Sequence, residues 1–358
     1  MFRILFFSFF GCRDYISDIK NSFERNKFIV YDYPYMHHKN ENMSDDQIIN
    51  QLNDIIKINK INYILIFLLP LNNTFFITLK NKLSEVTHIS DDVLKIDANG
   101  NIQSNDLNAI DAKIIFYNFD DPYSNNLDMI KYSKGIDYFF TPLKSSSIEL
   151  KILFGDDVKN VIQLNSYTNT FDNDYFVRLN DKKKTYDICI LLDDEFNKYY
   201  DSRKIILNIK LMANDAGYEV KLLGSSHLQS IYTDIYEGTF CNENDNILEC
   251  VSDSNVIIYL KNNTFGKNKI DMMLLKLLQY GNIVMTPYIE NLNTILRDDY
   301  NCMIFDVSTY IHKLNYCILN YDSHKIIKKN AKKIIDSEFH IDTWTSNIIK
   351  HITSNTNK

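Results

Sequence analysis

All five prolines of this 358-residue chain close an apolar, β-rich run: FIVYDY ends at Pro34, YILIFLL at Pro70, IIFYNFDD at Pro122, IDYFFT at Pro142 and NIVMT at Pro287. Proline has no amide proton to give to a sheet ladder, so each marks the point where a strand leaves its sheet. The runs are continuous rather than alternating, which calls for strands covered on both faces. Segments of helical period, such as residues 45 to 57 and 126 to 134, lie between them. Doubly covered strands separated by helices predict an α/β fold, a parallel sheet wound with helices.

The pattern occurs twice. Strands are expected near residues 3 to 9, 28 to 33, 63 to 69, 113 to 118, 137 to 141 and 160 to 164. A polar stretch from 166 to 184, with Lys182, Lys183 and Lys184 in a row, then interrupts the rhythm. Strands resume near 186 to 192, 219 to 223, 255 to 260, 282 to 286 and 302 to 305, with helices near 201 to 216, 268 to 280 and 322 to 337. This predicts a Rossmann-like domain over 1–165, a linker over 166–185 and a second Rossmann-like domain over 186–338. A C-terminal helix within 339–358, carrying Trp344, the chain's one tryptophan, is expected to pack back on the first domain. The segment from 83 to 108, with its Asn99-Gly100 turn signal, reads as a hairpin excursion. Open parallel sheets bind ligands beyond the carboxyl ends of their strands, where the strand order reverses. Two such domains facing one another would share one cleft.

Composition excludes several classes. The net charge of −7 argues against a general nucleic-acid coat, although it leaves room for a local basic groove. Only nine glycines are present and none forms GxGxxG or GxxxxGK[ST], so the usual dinucleotide and P-loop phosphate cradles are missing. The six cysteines include no CxxC pair, and buried, reduced thiols in a reducing compartment are expected, with no structural metal. The opening MFRILFFSFFGC looks like a leader, but its apolar stretch is far shorter than a membrane span and leads into a helix-period segment. It is read as the first buried strand of a soluble, cytoplasmic protein. The bias towards Asn, Ile, Lys and Tyr is that of an AT-rich genome, such as a large DNA virus or a protist.

Several segments carry a family likeness. RILFFS opens the chain, KIIFYNFDDP (113 to 122) is a strand ending in an acidic pair, and GIDYFFTPLKSSSIELKILFGDDVKNVIQL (135 to 164) runs from strand through a Ser-rich helix start to a final strand. In the second half come YDICILLDDEFNKYYDSRKIILNIK (186 to 210), VKLLG (220 to 224), IYEGTF (235 to 240), SDSNVIIYLKNN (252 to 263) and YGNIVMTP (280 to 287). In this order they resemble the GT-B glycosyltransferases, specifically the spore-maturation-type (glycosyl transferases group 1) branch and, more loosely, the phage DNA glucosyltransferases.

The resemblance implies a nucleotide-diphosphate sugar as donor, bound by the C-terminal domain, and an acceptor held against the N-terminal one. It needs no cofactor and no metal, because cationic side chains and helix N-termini can stabilise a leaving diphosphate. Arg203 falls at the family's arginine near the start of the first donor-domain helix. Its plainer role is a surface pair with Asp201 or Glu195. Ser225 and His227 follow the strand VKLLG, at the edge where a base or phosphate would rest or where a turn and N-cap would form. Tyr236 and Gly238 match the family's Tyr-x-Gly, where a close backbone approach would account for the glycine.

Lys261, Lys267, Lys269 and Lys276 form a basic connection and helix, either a phosphate site or a solvated loop. Asp120 and Asp121, just past a buried strand, could serve as general base, bind sugar hydroxyls, or cap the turn before Pro122. The chain departs from the family in two places. Asp193, Asp194 and Glu195 stand where a glycine-containing loop is usual, and Met273 and Lys276 replace the Arg and Glu that hold donor phosphate and ribose. The reading is therefore a glycosyltransferase with a glycan or protein acceptor. The alternatives are a catalytically degenerate GT-B domain acting as a binding module, and a DNA-base glycosyltransferase.

Overall fold

The structure, a computed structural model, describes residues 1–8, 13–35, 43–67, 74–85, 87–88, 95–96, 102–103, 106–107, 110–117, 135–142, 148, 150–152, 154–155, 158, 160–164, 178–179, 182–192, 201–239, 246–260, 272–280, 283–288 and 295–354. The chain divides into two units, Met1–Leu164 with Thr345–Lys358, and Asn165–Trp344.

In the first unit the strands are β1 (Arg3–Ser8), β2 (Ile29–Pro34), β3 (Tyr63–Ile66), β4 (Thr87–His88), β5 (Lys95–Ile96), β6 (Ile102–Gln103), β7 (Asp106–Leu107), β8 (Lys113–Tyr117), β9 (Tyr138–Thr141) and β10 (Asn160–Gln163). Six of them make one parallel sheet in the order β10-β9-β8-β3-β1-β2. The leader-like opening is the strand between β2 and β3, and Ile4 to Phe7 are at most 2% exposed. Within the 83 to 108 segment, whose first two residues end α3, two antiparallel pairs are described, β4 with β7 and β5 with β6, the latter on either side of the Asn-Gly turn signal in the sequence. Helices α1 (Arg13–Arg25), α2 (Asp45–Asn59) and α3 (Phe75–Ser84) complete its described architecture.

Alternate residues of each strand serve opposite faces. Leu5, Phe7, Ile64, Ile66 and Phe116 share a core with Ile48, Leu52 and Ile56 of α2 and with Phe75, Phe76 and Leu79 of α3. Phe6, on the other face, meets Phe23 of α1 edge-on at 5.6 Å. α2 starts as its sequence signals: Ser44 accepts from the Gln47 amide at 3.3 Å while the Gln47 side chain accepts from the Ser44 amide at 2.8 Å. The end of α3 is held from outside. The Lys57 ammonium, buried on α2, donates to the carbonyls of Lys82 at 3.0 Å and Glu85 at 2.6 Å. Lys57→Met would leave both carbonyls short of a donor and should lower stability by about 1–2 kcal/mol in urea unfolding; an unchanged midpoint would mean the cap contributes nothing.

The second unit contains β11 (Tyr186–Leu192), β12 (Val220–Gly224), β13 (Tyr236–Gly238), β14 (Ser254–Leu260), β15 (Ile283–Pro287) and β16 (Met303–Phe305). Its helices are α4 (Ser202–Ala216), α5 (Asn246–Val251), α6 (Met272–Tyr280), α7 (Tyr310–Leu319), α8 (Tyr321–Glu338) and α9 (Ile341–Ser354), the last of which ends in the first unit. The sheet is parallel throughout, ordered β13-β12-β11-β14-β15-β16. Counted within the unit this is 3-2-1-4-5-6, the dinucleotide-fold order, which reverses between β11 and β14. Ile188, Ile190 and Leu192 pack with α4 and α7 on one face, while Cys189, Leu191, Ile257 and Tyr259 pack with α6 on the other. In the first unit, Tyr63 Oη donates to the Ile352 carbonyl of α9 at 3.5 Å, and Phe140 meets His351 at 6.1 Å.

Strand positions agree with the sequence reading to within two or three residues. Pro34 and Pro287 are the last residues of β2 and β15, and Pro142 directly follows β9; Pro70 and Pro122 lie outside the described residues. α3, α5, α7 and β13 have no counterpart in that reading. α5 and β13 are too short to show a period; Thr74 and Thr309 stand at the N-cap positions of α3 and α7, although neither side chain caps its helix.

The lysine run expected in a linker has a structural task. Lys182 donates to the Glu249 carbonyl at 2.8 Å, Lys184 to Ser252 and Lys221 to Cys250, so three cations gather at the negative end of α5. Cys189, Cys302 and Cys317 are buried free thiols, whereas Cys250 is exposed; Cys12 and Cys241 lie outside the described residues. Among the described residues no helix is long and apolar enough to cross a membrane, and no group of three or more His, Cys, Asp or Glu could hold a metal ion.

Candidate functional site

The strand-order reversal places the candidate site at the carboxyl ends of β11 and β14. Leu192 and Leu260, their last residues, stand in register, so the two strands end flush. α4 follows β11 in the chain and begins beside a capping Asp201, whose carboxylate accepts from the Lys204 amide at 3.1 Å. Its first turn reads Ser202-Arg203-Lys204, two exposed cations and no acid. Cations at the positive end of a helix are disfavoured by about 0.3–1 kcal/mol each, and the same arrangement attracts an anion. Arg203 therefore stands in the helix-start position expected from the sequence.

Two polar groups at this end of the sheet were not foreseen. Ser202, the first residue of α4, is fully buried and its hydroxyl has no hydrogen-bond partner. Thr286, one residue before the end of β15, is 1% exposed and its hydroxyl is likewise unpartnered. A buried hydroxyl left unmade costs about 1–3 kcal/mol, so each is a point where an added polar group would be welcomed. No sequence signal separates these residues from any other Ser or Thr, because their isolation is created by the packing around them.

The end of β12 is shaped by Gly224. A Cβ at this position would lie 2.6 Å from the Leu192 carbonyl oxygen and would also strike the Leu228 side chain. Only glycine lets β12 close against the end of β11. Tyr236 Oη donates to the Gly224 carbonyl at 3.4 Å, which ties β13 to the same point, and burial raises the Tyr236 pKa. The close approach expected at Gly238 is found at Gly224 instead. A Cβ on Gly238 would meet nothing within 4 Å; its φ of 149° is what calls for glycine there.

Ser225 is half-buried in extended conformation (φ −61°, ψ 149°) ahead of a 3₁₀ turn, Ser226–Ser230. The turn is secured by the Ser225 carbonyl, which accepts from Leu228 at 3.0 Å, and the Ser225 hydroxyl does not cap it. His227 is exposed on that turn. Lys276 is half-buried on α6 between core residues Leu275 and Leu277. Met273, one turn earlier, is 6% exposed and belongs to the core beneath the sheet, so the position of the family's arginine is filled by packing. Asp120, Asp121, Lys261, Lys267, Lys269 and the acidic run 193 to 195 lie outside the described residues.

No protein-family model matches the chain, and no curated protein matches it. Solved structures do. A glycosyltransferase from Rickettsia africae aligns at a TM-score of 0.62 with 11% identity, over 99% of this chain and 99% of its own. Anabaena HepE in complex with UDP aligns at 0.59 with 10% identity, over 99% and 100%. An alpha-glucosyltransferase in complex with UDP and a 13-mer DNA aligns at 0.61 with 12% identity, over 99% and 100%. Two parallel six-stranded sheets with flanking helices, matched over almost the whole length, give the chain the GT-B fold.

Proposed function

We propose that this chain is a GT-B glycosyltransferase that takes a nucleoside-diphosphate sugar as donor and a hydroxyl of a glycan or protein as acceptor. The observation that carries the reading is the second unit's switch-point edge, where the helix after β11 opens on the buried, unpartnered Ser202 hydroxyl and the exposed Arg203 and Lys204. Support comes from fold neighbours solved with UDP or UDP-glucose.

In the reaction the bond from the anomeric carbon to the diphosphate oxygen breaks and a bond to the acceptor oxygen forms. The acceptor proton passes to a base, for which Asp120 or Asp121 is proposed. The negative charge gained by the diphosphate falls on the α4 N-terminus and Arg203, which would let transfer proceed without a metal. Turnover should then be unaffected by a chelator.

Calorimetric titration with a panel of UDP-, GDP- and TDP-sugars tests the proposal. Arg203→Ala should weaken nucleotide binding by about tenfold or more, the worth of a charge-assisted hydrogen bond, while leaving the melting temperature unchanged because the side chain is exposed. Absence of binding and of donor hydrolysis across the panel would favour the second reading, a GT-B domain that binds without catalysis. The core position of Met273 and the Lys276 substitution speak for that version. A gel shift with duplex DNA at low salt tests the DNA-base version, which fails without measurable affinity.

A further inference from the structure

α4 carries its end charges the wrong way round. Lys204 stands in its first turn and Asp215 in its last, with no acid in the first turn and no base in the last. The helix's own dipole disfavours both placements. Among the described residues, neither the Lys204 ammonium nor the Asp215 carboxylate has an ion-pair partner. The two charges flank an apolar pair. Ser202, Ile205, Ile206, Ile209 and Ala213 bury one side of the helix. At 100° per residue, Lys204, Leu207, Leu211 and Asp215 fall within about 80° of one another on the opposite side. All four are exposed, the leucines at 54% and 55%. The other charges near this stripe have their own places: Asp201 caps the helix, Lys210 is held by Asp234 at 2.7 Å, and Arg203 stands about 100° round the helix from Lys204.

Leu211 and Asp215 also line an open groove of about 520 Å³ between α4 and α7, together with Met212, Ile311 and Asn315. Asn315 accepts from the Tyr218 hydroxyl at 3.2 Å, and Asn208, which also lines the groove, donates to the Tyr310 hydroxyl at 2.8 Å. Among the described residues, Asp215 is the one charged group of the groove.

A stripe that runs basic, apolar, apolar, acidic is complementary to itself read backwards. The midpoint of Lys204 and Asp215 lies about half a residue, or about 0.75 Å, from that of Leu207 and Leu211. One two-fold axis therefore sets Leu207 against Leu211 and Lys204 against Asp215 at the same time, which is the condition for a closed pair. We propose that the outward face of α4 is a self-association surface, packing antiparallel on α4 of a second copy of this chain. Lys204 of the partner subunit lays its aliphatic stem along the groove and its ammonium on Asp215. Each misplaced charge then stands at the favourable end of the opposing helix. A single helix pair falls at or below the lower end of the roughly 1,200–2,000 Å² buried by stable complexes, so the dimer is a weak, concentration-dependent one. The idea is independent of the donor chemistry, which uses Arg203 and not the stripe.

Sedimentation equilibrium of the full chain across roughly 1–100 μM tests it. The mean mass should rise from that of one chain towards that of two and level there, and salt should lower it. Leu207→Gln with Leu211→Gln should leave a monomer throughout. Lys204→Glu and Asp215→Lys should each weaken association by at least roughly tenfold, because each turns two attractions into two repulsions. A one-to-one mixture of these two variants should dimerise again, since a stripe acidic at both ends then meets one that is basic at both. The altered side chains are exposed and each charge change suits its own helix end, so melting curves in dilute solution should not fall. A wild type that stays at the mass of one chain, association that survives the leucine changes, or a mixture that remains monomeric would each overturn the proposal. So would a mass that climbs past two chains, the sign of a contact that does not close.

Discussion

Asp253→Ala should cost the protein about 3–5 kcal/mol of stability, the largest loss expected from any single truncation at the base of the second sheet. Lys221 sits inside β12 at 3% exposure, with the Asp253 carboxylate and the Cys250 carbonyl as acceptors and the Tyr186 ring 4.5 Å from its ammonium. Asp253 also accepts from Ser254 Oγ at 3.2 Å, and its backbone carbonyl takes the Thr185 amide at 2.7 Å, so the residue is fixed before the pair forms.

Removing the carboxylate leaves a buried ammonium with one carbonyl and no countercharge. Replacing both partners, Lys221→Met with Asp253→Leu, removes the charge altogether and should fall within about 2 kcal/mol of wild type, because the desolvation cost disappears with the attraction. Urea unfolding of the two variants decides the matter. A single variant that loses less than about 1 kcal/mol would mean that water reaches the pair, and a double variant as unstable as the single one would mean that shape rather than charge is at stake.

The pair also shows why part of the fold was legible in the sequence and part was not. Strands such as YILI and SNVIIYL announce themselves because burial on both faces demands an unbroken apolar run, and that demand is local. The linker reading of Lys182 to Lys184 is local as well, and it misses that two of these lysines close α5, a helix more than 60 residues further on. Lys221 interrupts an apolar strand for the same reason. At the candidate site, the likeness to a known family placed Arg203 at a helix start. The close approach at Gly224, the isolation of Ser202 and Thr286 and the core position of Met273 arise only when distant segments meet. Residue type could not reveal them, and the close approach expected at Gly238 falls at Gly224 for that reason.

Stability should rise, not fall, as the pH is taken from 8 to about 9, and should decline beyond it. Burial, acting first, draws Lys184 from 10.5 down to about 8; Asp253 opposes this and the charges of Lys182, Lys221 and Lys325 reinforce it. Lys328 is likewise drawn to about 8 by burial and then by Lys184 and Lys325. Below pH 8 both are charged in either state, and the folded protein carries the full penalty. Between 8 and 10.5 the unfolded chain holds more protons than the folded one, so each lysine adds stability with rising pH, up to about 1.4 kcal/mol per pH unit.

The thiols run the other way. Burial pushes Cys189, Cys302 and Cys317 up to about 12 from the ordinary 9.0, so above pH 9 the unfolded chain releases protons that the folded one keeps. Three losses of about 1.4 kcal/mol per unit outweigh two gains of the same size, and the curve must turn near pH 9. Urea unfolding under reducing conditions at a series of pH values reads this directly. Lys184→Met with Lys328→Met should abolish the rise below pH 9 and keep the decline above it. A wild-type curve that is flat or falling between pH 8 and 9 would show that the two ammonium groups are solvated, and the account of a crowded basic corner at the foot of the second sheet would be wrong.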